Sequence, residues 1–433
     1  MLQKEAIDTD LEAKKLSLQF LDEVLKPAQI KTVGVRFWDG TNWPDDTPRP
    51  AVLVLQHAGA LRAMFAAGTE LALAEAYLYN DFDIEGDIIA VFELADALVK
   101  ATNGWSAKLS AAGKLLRLPK REYDRSGGRQ AANLQGKIHS IARDRKAVTY
   151  HYDVSNDFYQ LFLDERMVYS CAYFATPELS LDEAQIAKLE MICRKLRLRP
   201  GQRLLDVGCG WGGLAMYATR HYGVEVLGIT LSQPQADLAN QRIKAAGLER
   251  HCRVEVRDYR ELEDTHPYDA LVSIGMFEHV GAALLPIYFK KAVSLLKPGG
   301  VFLNHGIARR LTDKPDRRGS FSDAYVFPDG ELESISESLR AAEEARLEVR
   351  DVESWREHYA MTLRHWVNRL EAHYQEALKF VDEVTYRVWR LYMAGSSYGF
   401  HTGRLNVYQS LLVKPTVEGP SGLPSTRADW YRG

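Results

Sequence analysis

A glycine-rich segment in the middle of the chain has the composition of a ligand-binding turn. Residues 204–207 have the apolar pattern of a buried strand, and glycines at 208, 210, 212 and 213 precede a helical stretch at 214–221. Glycine lets the backbone approach a ligand closely, and the free N–H groups of a helix N-terminus attract a carboxylate or phosphate. The segment predicts a small-molecule site, although a tight strand-to-helix turn without a ligand would have the same spacing.

The glycine spacing departs from the dinucleotide-binding fingerprint, in which a later third glycine is followed by an acidic residue at the end of the second strand. Here the second predicted strand ends at Thr230 and continues as T-L-S-Q-P-Q, so NAD is disfavoured. The run L-D-V-G-C-G-W-G, beginning at Leu205, resembles the first motif of the Rossmann-like S-adenosylmethionine-dependent methyltransferases. That resemblance implies that the glycine turn holds the methionyl part, the end of the second strand holds the ribose, and Asp258 with Tyr259 holds the adenine.

The loop after the fourth predicted strand argues against a nucleic-acid base as the substrate. Amino-methyltransferases of nucleic acids carry an N/D-P-P-Y/F/W signature there, which holds a flipped base. Residues 273–281 read S-I-G-M-F-E-H-V-G instead, and P-P-Y occurs nowhere in the chain.

Several longer motifs occur in a fixed order around the glycine turn. They are Y-H-Y-D-V-S-N-D-F-Y at 150–159, Y-S-C-A-Y-F at 169–174, G-M-F-E-H-V-G at 275–281, N-H-G-I at 304–307 and Y-V-F-P-D-G at 325–330. Together they resemble the cyclopropane-fatty-acyl-phospholipid synthase family, which includes the mycolic acid cyclopropane synthases. The resemblance covers about residues 148–413 closely, and the N-terminal part loosely through E-A-Y at 75–77.

The resemblance implies methylene transfer from S-adenosylmethionine to the cis double bond of an acyl chain in a membrane phospholipid. An isolated alkene is a weak nucleophile, so such a site must be apolar and dry, and aromatic faces suit the carbocation that follows. A bound bicarbonate ion then takes the proton whose loss closes the ring.

The resemblance also implies a role for individual residues, none of them as a metal ligand. The bicarbonate ion would be held by Cys171, Glu278, His305, Ile307 and Tyr359, with Cys171 and Ile307 contributing backbone groups. The matching cofactor contacts are Tyr169, Ser170, Asp206, Gly208, Cys209, Gly210, Thr230, Leu231, Ser232, Gln235, Asp258 and Tyr259. His279 is interpreted as a core histidine.

One position departs from the family pattern. Ser396 stands where many members carry a cysteine in a C-A-x-x-F run. A thiolate has no clear step in alkene methylation, so this position is interpreted as pocket wall. Two alternatives stay open: a relative that methylates the alkene and leaves a methyl or methylene branch, and a lipid-binding relative without activity.

The elements that would position these residues alternate between strands and helices, as in an open, mostly parallel α/β sheet. The predicted strands are 203–208, 224–230, 253–258, 268–275, 300–307, 348–353 and 405–413. A helical block at 354–397, rich in Trp, Tyr and His, would cap the substrate. We therefore predict a Rossmann-like seven-stranded methyltransferase domain at 149–415. A smaller mixed domain at 1–98, with a helix around 16–25 and strands at 32–38 and 51–57, is expected to contact lipid.

The remaining segments are predicted from their composition. Residues 99–148 contain 12 Lys and Arg against 3 Asp and Glu, and are interpreted as a basic linker that either is solvated or rests on anionic lipid; RNA binding ranks below lipid. Residues 416–433 show no helical or strand periodicity, which predicts a flexible tail.

The composition of the whole chain limits the class of protein and its cellular location. A net charge of -3 over 433 residues excludes a polybasic nucleic-acid coat, and the four cysteines have neither disulfide nor zinc-ligand spacing. The N-terminus shows no secretion signal. We expect a cytoplasmic enzyme that contacts the inner membrane face, takes unsaturated phospholipid as its partner, binds no nucleic acid and would suit a homodimer.

Overall fold

The computed structural model describes residues 2–26, 30–101, 112–121, 127–152, 154–263, 265–313 and 319–431. Contacts divide these residues into two compact units. The first contains the described residues of Met1–Ala131, Gly319–Tyr325 and Asp382–Tyr398, and the second those of Ala132–Arg318, Val326–Val381 and Gly399–Gly433. This division differs from the predicted boundaries at 98 and 148, because two later segments pack with the N-terminal one.

The strands of both units are β1 Val33–Arg36, β2 Asn42–Trp43, β3 Ala51–Leu55, β4 Phe82–Gly86, β5 Arg203–Val207, β6 Glu225–Thr230, β7 Cys252–Val256, β8 Tyr268–Ile274, β9 Leu296–Arg309, β10 Glu348–Ser354 and β11 Leu405–Val413. The α-helices are α1 Leu2–Val24, α2 Ala60–Phe65, α3 Glu70–Leu78, α4 Val91–Ala101, α5 Ile141–Tyr152, α6 Asn156–Gln160, α7 Leu181–Lys195, α8 Gly213–Tyr222, α9 Gln233–Ala245, α10 Leu285–Leu295, α11 Phe321–Tyr325, α12 Ile335–Glu344, α13 Arg356–Ala372, α14 Tyr374–Ala377 and α15 Glu383–His401.

The first unit contains a four-stranded sheet in the order β2-β1-β3-β4. β1 and β3 run parallel, and the other two pairs are antiparallel. Residues of β3 alternate between buried and half-buried, the period expected of a strand with one face on the core. β1 and β3 lie within the two strands predicted from sequence, whereas α1 begins far earlier than the predicted helix.

Residues of α3 hold the two later segments in the first unit. The Tyr325 hydroxyl donates to Glu75 Oε1 at 3.1 Å. Arg390 Nη1 donates to the Tyr77 hydroxyl at 2.8 Å, and Arg387 Nη1 donates to the Tyr77 carbonyl oxygen at 3.0 Å. The E-A-Y motif of the sequence thus anchors α11 and the first part of α15.

The second unit is built on a seven-stranded sheet in the order β10-β11-β9-β8-β5-β6-β7. Its strands from β5 to β9 run parallel, and β11 and β10 are added antiparallel at one edge. This arrangement confirms the predicted Rossmann-like α/β fold and all seven strands, although β9 is longer than predicted. The carboxyl ends of the parallel strands meet at one edge of the sheet, where open α/β sheets bind ligands.

The last part of the second unit differs from the predicted flexible tail. Trp430 is 2% exposed, and its carbonyl oxygen accepts a hydrogen bond from Arg194 Nη1 at 3.3 Å. The Lys195 ammonium lies 5.4 Å from the centre of the Trp430 ring. Asp429 also forms an ion pair with Arg197 at 2.9 Å, so the end of this segment packs on the second unit although its sequence shows no periodicity. Within the described ranges, none of the helices combines the length and apolar character needed to cross a membrane.

Candidate active site

The glycine turn between β5 and α8 lines a cavity of about 140 Å³ at the carboxyl edge of the sheet. Gly208 has a φ angle of 80°, a left-handed conformation that residues with a side chain adopt at a cost. A Cβ atom on Gly208 would also lie 3.0 Å from the Cβ of Met276. Backbone conformation and limited space therefore both favour glycine at this position.

Most of the predicted cofactor contacts line this cavity. They are Tyr169, Ser170, Asp206, Gly208, Cys209, Gly210, Thr230, Leu231, Gln235, Asp258 and Tyr259. Ser232 differs from the prediction because it is fully buried and does not line the cavity. Its hydroxyl instead accepts a hydrogen bond from the backbone N–H of Gln235 and caps the N-terminus of α9.

Polar groups stand at the ends of neighbouring strands around the cavity. Thr230 Oγ1 donates to Gln235 Oε1 at 2.7 Å, at the end of β6. The Asp258 carboxylate follows β7 and accepts from the backbone N–H of Arg260 at 2.9 Å. Hydroxyl, amide and carboxylate groups in this order fit the ribose and adenine of S-adenosylmethionine, and the glycine turn fits its methionyl part.

A buried lysine that sequence reasoning missed also lines the cavity. Lys188 on α7 is 1% exposed, and its Nζ donates to Ser170 Oγ at 2.7 Å. Burial lowers the pKa of Lys188 to about 8. Burial also raises the pKa of Asp206 to about 7, although the nearby Lys188 ammonium acts to lower it. One lysine in an amphipathic helix forms no motif, so only the inward orientation of α7 identifies it.

Glu278, His305 and Ile307 lie together where β8 ends beside β9. Glu278 belongs to a short 3-10 turn, Phe277–His279, that follows β8, while His305 and Ile307 are two residues apart on β9. The backbone N–H of Ile307 donates to Glu278 Oε1 at 2.7 Å. The predicted backbone role of Ile307 is therefore, in this structure, to position the glutamate.

Two buried atoms of this cluster, Glu278 Oε2 and His305 Nε2, have no hydrogen-bond partner among the residues that the structure describes. Burial raises the pKa of Glu278 to about 7. Burial also lowers the pKa of His305 well below its ordinary value, and the ammonium groups of Lys188 and Lys195 lower it further. These two atoms, a carboxylate oxygen and an imidazole nitrogen, fit a small anion that both donates and accepts hydrogen bonds. Bicarbonate is such an anion.

Cys171 and Tyr359 both contact Trp355, and the contact of Tyr359 is made by its backbone. The Cys171 sulfur lies 3.7 Å from the Trp355 carbonyl oxygen, and the backbone N–H of Tyr359 donates to the same oxygen at 3.1 Å. The rings of Trp355 and His305 meet edge to face with centres 5.4 Å apart. Burial raises the pKa of the Cys171 thiol, so the sulfur stays protonated and is no nucleophile.

An aromatic cluster continues from the cavity wall. The Tyr169 ring stacks on Trp366 at a centre distance of 5.0 Å, and the rings of Tyr152 and Tyr159 lie 6.1 and 5.4 Å from it. The Tyr359 ring packs on Phe400 at 4.6 Å. Such electron-rich faces can stabilise a positive charge.

Two further positions complete the predicted set. Ser396 is half-buried on α15, within the segment that packs with the first unit, and is not among the described residues that line the cavity. Its role as pocket wall stays a prediction. His279, which was expected to be a core histidine, lines the cavity, and burial lowers its pKa to about 4. The His279 imidazole is therefore neutral at physiological pH.

The chain is similar to known proteins in both sequence and fold. The chain is 43% identical over 401 residues to a probable fatty acid methyltransferase of Pseudomonas putida, which covers 92% of this chain and 96% of that protein. It is 35% identical over 315 residues to the cyclopropane-fatty-acyl-phospholipid synthase of Escherichia coli K12, covering 72% of this chain and 79% of that protein. The crystal structure of the mycolic acid cyclopropane synthase CmaA1 complexed with SAH and CTAB superposes with a TM-score of 0.59 at 36% identity, covering 62% of this chain and 97% of that one.

Two parts of the chain match different protein families. Residues 20–102 match a domain of unknown function. Residues 139–410, which contain both the cavity and the Glu278–His305 cluster, match the family described as mycolic acid cyclopropane synthetase. The chain therefore belongs to this family and is an S-adenosylmethionine-dependent methyltransferase of the cyclopropane synthase type.

Proposed function

We propose that this enzyme transfers a methylene group from S-adenosylmethionine to the cis double bond of an unsaturated acyl chain in a membrane phospholipid, and closes a cyclopropane ring. The observation that carries this proposal is the pair of buried atoms, Glu278 Oε2 and His305 Nε2, that have no partner among the described residues. The loop of Glu278 also contributes Met276 and His279 to the cofactor cavity. A reaction that must remove a proton after methyl transfer needs an acceptor at such a place.

The protein residues supply the environment for an alkene to react. S-Adenosylmethionine, when bound, supplies the electrophilic methyl group. Tyr169 and Trp366 present stacked rings next to the cofactor cavity, and we expect their faces to stabilise the positive charge that develops on the acyl chain. Burial of the surrounding groups excludes water, which would otherwise capture that cation.

The proton acceptor is the second part of the proposal. Bicarbonate, when bound, supplies the oxygen that takes the proton from the added methyl group. Glu278 would accept the O–H of the ion, and the Ile307 N–H holds Glu278 in place through its other oxygen. The buried Cys171 thiol would serve only as part of the wall, since it stays protonated.

A methyl- or methylene-branched acyl chain without a ring is the second candidate product. It is favoured by Ser396, which replaces a cysteine found in many members, and by the relative named a probable fatty acid methyltransferase. Both products require the same methyl transfer, and they differ in how the resulting cation is discharged. Loss of a proton from the added methyl group, with formation of a carbon–carbon bond, closes the ring. Loss of a chain proton leaves a methyl-branched alkene, and a hydride shift before proton loss from the methyl group leaves a methylene branch. The placement of the proton acceptor relative to the cation therefore contributes to the choice of product.

We also propose peripheral contact with the inner membrane face from the cytoplasm. In the basic segment of the first unit, Leu116 is 61% exposed and is followed by Arg117, Lys120 and Arg121. An exposed apolar residue among cations suits an anionic lipid surface. The homodimer stays a prediction that sedimentation velocity tests.

Product analysis tests the proposed reaction. The enzyme is incubated with S-adenosylmethionine and vesicles of unsaturated phospholipid, in buffer with bicarbonate or freed of it, and the acyl chains are analysed by mass spectrometry and alkene chemistry. We expect a gain of one CH₂ group with loss of the alkene, and a rate that falls at least about tenfold without bicarbonate. Glu278→Gln should lose at least about 100-fold in turnover while binding S-adenosylhomocysteine normally, and the exposed Glu357→Gln is the matched control.

Each other outcome has a distinct meaning. A CH₂ gain with the alkene retained would establish the branched product. A rate that does not depend on bicarbonate would contradict its role as the proton acceptor. No gain on any phospholipid would contradict the proposed substrate and favour an inactive lipid-binding relative.

A further inference from the structure

A row of polar side chains crosses three neighbouring strands behind the Glu278–His305 cluster. Glu353 on β10 pairs in register with Gln409 on β11, and Gln409 pairs in register with His305 on β9. Directly opposite residues of neighbouring strands project from the same face of a sheet. Lys195, the last residue of α7, reaches the same row.

The members of this row are hydrogen-bonded in sequence. Lys195 Nζ forms an ion pair with Glu353 and also donates to Gln409 Oε1 at 2.8 Å. Gln409 Nε2 lies 3.0 Å from His305 Nδ1. Lys195, Gln409 and His305 are each at most 2% exposed, so water does not compete for these bonds.

The donor and acceptor roles in this row follow from Lys195. An ammonium group only donates, so the Gln409 oxygen must face Lys195 and its NH₂ group must face His305. An NH₂ group also only donates, and His305 Nδ1 must therefore accept with its lone pair. In a neutral imidazole the single proton then resides on Nε2.

The same row keeps His305 from taking up a second proton. A proton on Nδ1 would point at the NH₂ hydrogens of Gln409 and would lose that hydrogen bond. The cations Lys188 and Lys195 also disfavour an imidazolium. Two carboxylates lie in the same part of the sheet: Glu278 accepts from the Ile307 N–H, and Glu353 pairs with Lys195. His305 is thus left with one free group, an N–H at Nε2, which has no partner among the described residues.

We propose that Lys195 and Gln409 are positioning residues that hold His305 as the Nε2–H tautomer, so that His305 donates a hydrogen bond to the bicarbonate ion and does not act as the base itself. The bicarbonate part of this inference rests on the proposed function. The tautomer part rests only on residues of this chain, and the two are tested separately.

Nitrogen NMR of the imidazole rings tests the tautomer. The full-length protein is labelled with ¹⁵N-histidine, and the His305 signals are assigned by their loss in His305→Asn. We expect a neutral ring with a protonated Nε2 from about pH 6 to about pH 8. A protonated Nδ1, or an imidazolium in this range, would overturn the inference even if the enzyme is active.

Substitution of Gln409 tests the positioning role. Gln409→Glu replaces the NH₂ donor by an acceptor, which should move the His305 proton to Nδ1 or charge the ring. We expect turnover to fall about 10- to 100-fold, with little change in the KM for phospholipid or in S-adenosylhomocysteine affinity. Ser410→Ala, the next residue on the same strand and also buried, is the matched control and should change neither the NMR signals nor turnover.

Three further results test the separate parts of the inference. Lys195→Met frees the Gln409 amide to rotate, so the His305 signals should report a mixture of both neutral tautomers. If Gln409→Glu lowers turnover without moving the His305 proton, the positioning role is refuted. If the Nε2–H tautomer is found and bicarbonate added to the protein leaves the Nε2 signal unshifted, the tautomer stands and the bicarbonate role fails.

Discussion

Glu278 is a carboxyl group whose burial raises its pKa from 4.5 to about 7. Ionising it in the folded protein therefore costs free energy above about pH 7, and this cost disappears below its ordinary pKa. We expect Glu278→Gln to increase the free energy of unfolding at pH 8, by up to about 3 kcal/mol, and to leave it unchanged near pH 4. Urea denaturation at both pH values measures this, with the exposed Glu357→Gln as control. A variant less stable than the wild type at pH 8 would mean that Glu278 has compensating partners.

At the scale of elements, the turn from β5 into α8 combines a backbone requirement with ligand binding. Gly208 and Gly201 have nearly the same φ angles, 80° and 81°, but only Gly208 lines the cavity and faces Met276. An added side chain should cost each variant about 1–2 kcal/mol of stability through the backbone alone. We expect Gly208→Ala to weaken S-adenosylhomocysteine binding at least about tenfold and Gly201→Ala to leave it unchanged, as measured by calorimetry. Equal binding by both variants would show that the turn does not contact the cofactor.

For the molecule as a whole, the proposed membrane contact lies in the first unit, whereas the catalytic sheet belongs to the second. Leu116 and Lys120 are exposed in the first unit, and Val417 is an exposed apolar residue, at 93%, in the second. We expect Leu116→Glu combined with Lys120→Glu to reduce binding to anionic phospholipid vesicles at least about tenfold, as measured by cosedimentation, because both apolar and electrostatic attraction are lost. Val417→Glu is the control and should bind like the wild type. Unchanged binding by the double variant would locate the membrane contact elsewhere. If the wild-type protein binds RNA and does not bind vesicles, the basic segment is instead an RNA-binding surface.

Much of the candidate site was predictable because its residues belong to motifs that are contiguous in sequence. The glycine turn, the end of β6 and the Asp258–Tyr259 pair each follow a strand whose apolar pattern marks where it ends, so their meeting at one edge of the sheet follows from parallel strand order. Ser232 shows the limit of such reasoning, because a serine before a helix is equally suited to capping that helix.

The seven strands, the cofactor turn and the family of this protein can be predicted from the sequence alone, since each rests on local patterns or on ordered motifs. Four features depend on the three-dimensional fold: the burial of Lys188, the packing of Trp430, the packing of α11 with the first unit, and the row from Lys195 through Gln409 to His305. Gln409 lies 104 residues from His305, and Lys195 lies 214 residues from Gln409. Contacts at such separation depend on strand register and helix orientation, which leave no periodic mark in the sequence.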